Sequence, residues 1–192
     1  MTNRRVPALL AVMAICVAAT VASAQPYFTQ TQLLTVPADS TSRFAWTIDV
    51  DGEWAIASDP ANNQSVARAI VYRRIGSTWT SFQTLTCPAT CSFYGIAGAV
   101  SGNTLAVASP NGFVNGLTVY GSVYVYTWSG SAWVYSTELP LPAGRGPTAA
   151  GALDLNGDTL VVGTGTASSQ STSNSAFAFQ RNCRYGKVTD GS

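Results

Sequence analysis

Three glycines fix the plan of this chain. Gly52, Gly102 and Gly157 each follow a short apolar run and precede a second one, as in TIDVDGEWAIAS, AGAVSGNTLAVAS and ALDLNGDTLVVG. The spacings are 102 − 52 = 50 and 157 − 102 = 55 residues. Each tight turn is followed by two further apolar runs, so the repeating unit holds four short strands. A pair such as Asp51-Gly52 between alternating apolar residues is a hairpin signal. The expected turn is type I′, with positive φ at both central residues. A four-strand repeat near 50 residues is the sequence pattern of a β-propeller blade.

In the first unit the strands are expected at Phe44 to Val50, Trp54 to Ser58, Ala67 to Arg74 and Trp79 to Leu85. In the second, Ser101-Gly102-Asn103 replaces the first turn, Ser122 to Tyr126 is the third strand, and Trp133 takes the place of Trp79. In the third, Asn156-Gly157 is the turn, Leu160 to Gly163 the second strand and Ser175 to Phe179 the third. The units lie near 44–86, 93–140 and 149–181. The third stops before its fourth strand, and residues 183–192 are expected to be irregular or to reflect truncation. One stray segment, Tyr27 to Thr35, stands before the first unit. Phe28 to Thr35 lines up with Trp79 to Thr86, the end of a unit, so it is read as an outermost strand of the kind that closes a ring.

The units resemble FG-GAP repeats, the blades of integrin-α-like propellers and of many secreted repeat proteins. The resemblance covers Phe28 to Arg181. It rests on Phe44-Ala45 and Phe93-Tyr94-Gly95 in place of Phe-Gly, and on Ala57-Ser58-Asp59-Pro60, Ala108-Ser109-Pro110 and Gly163-Thr164 in place of Gly-Ala-Pro. The closest segments are Gly102 to Ala108 and Gly157 to Gly163. It implies an all-β fold of about three four-stranded antiparallel blades, a partial propeller. It also raises calcium, because some members hold that ion in an acidic turn. The residues concerned are Asp49, Asp51 and Glu53 in the first unit and Asp154, Asn156 and Asp158 in the third. Calcium needs six to eight oxygens and a longer loop than a two-residue hairpin wraps, so these are read instead as turn residues, with no cofactor expected.

Residues 1–24 read as a secretory signal. Arg4 and Arg5 precede the apolar run Val6 to Val21, and Ala22-Ser23-Ala24 is a small-x-small cleavage site. An uncleaved anchor is the alternative, although the run is shorter than the roughly 20 residues of a span. The expected location is therefore extracellular, with no membrane attachment after cleavage. Residues 25–182 then form the repeat domain. Three cysteines remain, and in an oxidising compartment Cys87 and Cys91 are the expected disulfide, with Cys183 left over. Asn63-Gln64-Ser65 is a glycosylation sequon if the source is eukaryotic.

Several function classes are disfavoured. The chain contains no histidine, which removes Ser-His-Asp and Cys-His hydrolytic sets and every His-ligated metal site. Charged residues are 10% and the formal charge is +1, so the basic footprint for nucleic acid is missing. Of the few acids, Asp59 is placed on a loop after the second strand. The aromatics Tyr72, Trp79, Tyr124, Tyr126, Trp133 and Phe177 fall at packing positions, whereas Trp46 and Trp54 are the candidates for exposed contact. The expected function is a secreted, non-catalytic binding or adhesion module. Its partner would be an extracellular protein or carbohydrate, met by loops Pro60 to Val66 and Asn111 to Thr118. The alternatives are a fragment of a secreted propeller glycosidase or lyase, or a truncated product without activity of its own. A homodimer completing a six-bladed ring is one answer to the missing blades.

Overall fold

The computed structural model describes residues 30–34, 43–60, 67–88, 91–114, 117–119, 121–141, 151–164 and 175–182. The signal segment, the Asn63 sequon, Cys183 and the tail at 183–192 lie outside them. The chain divides after Thr31, and the sheets all belong to the second unit, Gln32–Ser192. Among the described residues the regular structure is entirely β.

The first sheet is a meander of β1 (Ile48–Asp51), β2 (Trp54–Asp59), β3 (Arg68–Ile75) and β4 (Thr78–Thr86), paired in that order and antiparallel throughout. Next comes β5 (Cys91–Ser92). The second sheet holds β6 (Ala97–Ser101) and β7 (Thr104–Ser109). A hairpin of β8 (Asn111–Val114) and β9 (Leu117–Val119) follows, and then β10 (Ser122–Trp128) and β11 (Trp133–Pro140) complete the second sheet in the order β11-β10-β7-β6. The third sheet has β12 (Ala152–Asn156), β13 (Thr159–Thr164) and β14 (Ser175–Gln180). The three main antiparallel sheets thus have four, four and three strands, and β5, β8 and β9 form a small further sheet.

The repeat turns differ from the expected type. Asp51 pairs with Trp54, so the two central residues are Gly52 and Glu53 rather than Asp51 and Gly52. Gly52 has φ 57° and Glu53 is not in the left-handed region. One positive φ, at the first central residue, is the type II′ pattern, which asks for glycine only there. The register moves Asp51 onto the end of β1, where its side chain is committed to a sheet face.

Alternation along each strand builds the core. On one face of the first sheet, Trp54, Ile56, Ala69, Val71 and Leu85 pack against Val100, Leu105, Val107, Tyr124 and Trp133 of the second. On the opposite face of the second sheet lie Ala97, Ala99, Ala106, Ala108 and Val123. They meet Leu155, Leu160 and Val162 of the third sheet, small residues against large. The sheets therefore stack in chain order, and their first strands run side by side, β1 against β6 and β6 against β12. Sheet three is different on its far side. Its residues alternate buried and exposed, with Asn156, Val161, Ala178 and Gln180 facing out.

Two expected elements change. The first strand begins at Ile48 rather than Phe44, because Ala45 takes φ 60° and Trp46 N–H donates to Arg43 C=O at 3.2 Å, making a turn. The expected Asn111–Thr118 loop contains a hairpin that pairs through β8 with β5. Val114 pairs with Leu117, leaving Asn115-Gly116 between them, the dipeptide most suited to a two-residue turn.

Candidate functional site

Two acids hold the first sheet interface. Asp49 and Asp51 point from β1 toward the second sheet. Asp49 Oδ2 accepts the Val100 N–H at 2.8 Å, and Asp51 Oδ2 accepts the Gly102 N–H at 2.6 Å. Ser101 holds the position of Asp51 one unit later, and its Oγ accepts the Gly157 N–H at 3.0 Å. The same turn-to-turn contact thus occurs at both junctions. A turn glycine that leaves its N–H unpaired within its own hairpin offers it to the preceding sheet.

A second contact repeats at the outer strands. The Gln83 side chain of β4 donates to Trp133 C=O and accepts from Trp133 N–H, both at 2.9 Å. Gln32 grips Trp79 in the same way, donating to its C=O at 2.7 Å and accepting its N–H at 2.8 Å. Gln32 is the residue that the alignment of Phe28–Thr35 with Trp79–Thr86 matches to Gln83. Leu34, matched to Leu85, packs against the free-standing face of the first sheet with Phe44 and Trp79. The position of Gln83 in β11 is Thr137, too short to repeat the clamp.

Three further acids pair with arginines. Glu53 meets Arg73 at 3.0 Å and Asp158 meets Arg181 at 2.9 Å, both at exposed sites. Asp59 departs from its expected loop. It is the last residue of β2, fully buried, and Arg68 Nε lies 3.2 Å from its Oδ2. Of the six calcium candidates, Asp49 and Asp154 border one cavity, while Glu53 and Asp158 are held by arginines. No group of three or more metal-ligating side chains occurs among the described residues.

That cavity, about 380 Å³, lies where the first strands of the three sheets meet. Thr47, Ile48 and Asp49 come from the first sheet, Ala97 and Gly98 from the second, and Ala152 to Asp154 from the third. Short side chains at 97, 98, 151 and 152 leave the space. Asp49, Asp154 and Thr47 are the bordering residues with acceptor oxygens, Asp154 standing opposite Val161 on the outward face of the third sheet. Thr47 Oγ1 is tied to Ser58 Oγ at 3.0 Å. Asp154 has no partner among the described residues. Such a rim suits a ligand rich in hydroxyl or ammonium donors.

The aromatics divide otherwise than expected. Trp54 is 4% exposed and sits in a cluster with Phe82, Trp128 and Trp133, its centroid 4.6 Å from that of Trp128. The Arg73 guanidinium covers the rings of Trp54 and Trp128 at 5.1 and 5.9 Å. Tryptophan at the start of β2 projects between the sheets, so Trp54 is core and not a contact residue. Trp46 is 56% exposed, with Arg43 over its ring. Tyr72, Tyr124, Tyr126 and Trp133 are buried. Tyr94 and Tyr126 share a hydroxyl–hydroxyl hydrogen bond of 2.7 Å. Burial, and then each other's proximity, pushes Tyr94 far above the ordinary phenol range.

Cys87 and Cys91 form a disulfide with Cα atoms 6.3 Å apart, inside the normal span. It closes the passage from β4 to β5. No helix of the described residues is long and apolar enough to cross a membrane. The sequence matches no protein-family model and no curated protein.

Proposed function

We propose that the chain is a secreted binding module of FG-GAP-like propeller blades, taking a hydroxyl-rich carbohydrate ligand at the cavity where the first strands converge. The single observation that carries this reading is a space of about 380 Å³ bordered by Asp49, Asp154 and Thr47. Sugar-sized ligands are commonly held in cavities of about this volume. The blade reading draws support from the stacking order, the meandering strands and the side-by-side first strands, which are how blades surround a common axis. It also draws support from Gln32, which fills an outer-strand position in front of the first sheet. The non-catalytic reading is supported by the structural employment of Asp51 in an inter-sheet hydrogen bond and of Glu53, Asp59 and Asp158 in arginine pairs.

The test is a screen of the full chain, expressed in a secreting host, against immobilised neutral, acidic and amino sugars. Binding that is weakened at least tenfold by Asp154→Ala and unchanged by Glu53→Ala is the expected result. Binding indifferent to Asp154 would overturn the cavity assignment.

A second reading follows from the same two carboxylates. Paired acids across a sugar site are the machinery of glycoside cleavage. It competes poorly, because Asp49 Oδ2 already accepts the Val100 N–H. New reducing ends released from a bound polysaccharide, and lost in Asp154→Asn, would establish it over the binding-only reading.

A further inference from the structure

The two ends of the sheet stack are complementary. At the head, Val50 of the first sheet is 59% exposed, whereas Val100, which holds its place one unit later, is 3% exposed and buried against the preceding sheet. Gly52 N–H has no acceptor among the described residues, while its counterparts Gly102 and Gly157 are both bound. The head also carries a spare outer-strand position, filled by Gln32 and Leu34, with no further sheet in front of it.

The tail offers the reverse. Asn156 stands where Asp51 and Ser101 stand, its amide oxygen able to accept a turn N–H, and it is exposed. Val161 and Ala178 hold the places of Ile56 and Val71, which are buried at the first junction, and both are exposed. Among the described residues the third sheet ends at β14 without a fourth strand. A cavity of about 210 Å³ opens beside β14, between Phe179, Gln180 and Arg181 on one side and Ser136, Thr137 and Leu139 of β11 on the other. A fourth strand on β14 would lie along this opening.

We propose that the tail of one copy of this chain binds the head of a second copy. The segment bearing Gln32 of the second copy pairs with β14 of the first as its missing strand, and Asn156 accepts the second copy's Gly52 N–H. The occupant is a second copy because the chain itself carries both halves of the junction, in the register that its two internal junctions already use. Two copies make two such junctions, a closed set of six sheets, within the four to eight that propellers usually contain. A head-to-tail contact of this kind either closes or grows without limit, and six sheets let it close. The inference rests on the blade reading above, but not on the carbohydrate site.

The experiment is light scattering coupled to gel filtration on the full chain and on Val50→Lys and Val161→Lys, which alter exposed residues at the head and tail. The wild type should have twice the protomer mass, and each variant the protomer mass with an unchanged far-ultraviolet spectrum. A wild-type monomer or dimeric single variants would each overturn the proposal. Should a variant misfold, the wild type decides alone: its Tm rises with protein concentration if the dimer forms, and a concentration-independent Tm overturns it. A monomer that still binds sugar defeats only this inference, whereas a dimer that binds none defeats only the carbohydrate assignment.

Discussion

Asp51 Oδ2 and the Gly102 backbone N–H are 2.6 Å apart across the junction of the first two sheets. With Asp49 and Val100 beside them, two carboxylates of β1 hold the rim of the next sheet. Val100 is buried, so its N–H depends on that acceptor. Asp49→Ala should destabilise the fold by about 1 kcal/mol, the usual worth of one hydrogen bond. Asp49→Asn should keep most of it, because an amide oxygen still accepts. Urea melts of the three proteins check the order wild type, Asn, Ala.

Gln83 is the corresponding bond at the outer edge. It satisfies both backbone groups of Trp133 in a part-buried setting. Gln83→Ala leaves a donor and an acceptor to find water beside a packed tryptophan and should cost about 2 kcal/mol. Gln83→Glu removes the donor alone and should cost less. Thermal melts, followed by the fluorescence of the Trp54–Trp133 cluster, separate the two.

Asp59 and Glu53 make a matched comparison of ion pairs. Asp59 is fully buried with Arg68, whose side chain is 11% exposed. Removing one partner of a buried pair leaves an uncompensated charge and costs about 3–5 kcal/mol. The exposed Glu53–Arg73 pair should contribute less than about 1 kcal/mol. Asp59→Ala is expected to unfold at markedly lower urea than Glu53→Ala, and equal midpoints would contradict the assignment.

The buried tyrosines set an alkaline limit. Burial raises Tyr94, Tyr124 and Tyr126 above the ordinary value of 10.0. Glu138 adds to the rise at Tyr124, although the two make no hydrogen bond of normal geometry, so burial is the larger cause. The Tyr94 hydrogen bond partly offsets the rise at Tyr126. The folded state therefore keeps phenol protons that the unfolded chain releases. Their stabilisation is complete below pH 10 and is lost as pH climbs toward the folded-state values. Unfolding free energy measured from pH 8 upward should fall steeply past about 10. Tyr94→Phe, which cannot ionise, should lessen the slope.

The strands were legible because each has a period of two and lies between turn glycines, from Trp54–Asp59 to Ser175–Gln180. The alignment of Gln32 with Gln83 was equally legible, but the expected closure strand was not found: residues 30–34 form no strand, and Gln32 binds Trp79, 47 positions away. Four features were not legible. The turn register depends on which residue faces Trp54, and Asp-Gly reads the same for either choice. The β8–β9 hairpin falls in Asn111–Thr118, a short stretch rich in Asn and Gly that reads as a loop. Trp54 as core and Asp59 as a buried partner of Arg68 depend on which face meets the next sheet, and local pattern carries no record of its neighbour. The cavity with Asp49 and Asp154 joins residues more than a hundred positions apart, so only the stacked sheets bring it together.

The turn-to-turn bond gives the molecule modularity. The second sheet offers an oxygen forward from Ser101 and receives one from behind at Gly102, the positions that Asp51 and Gly157 use in its neighbours. Copying a whole unit within the gene would therefore insert a sheet that already fits on both sides, and excising one would rejoin its neighbours in register. Growth and loss of units are tolerated by construction, while a change at the shared positions is felt at every junction that uses them.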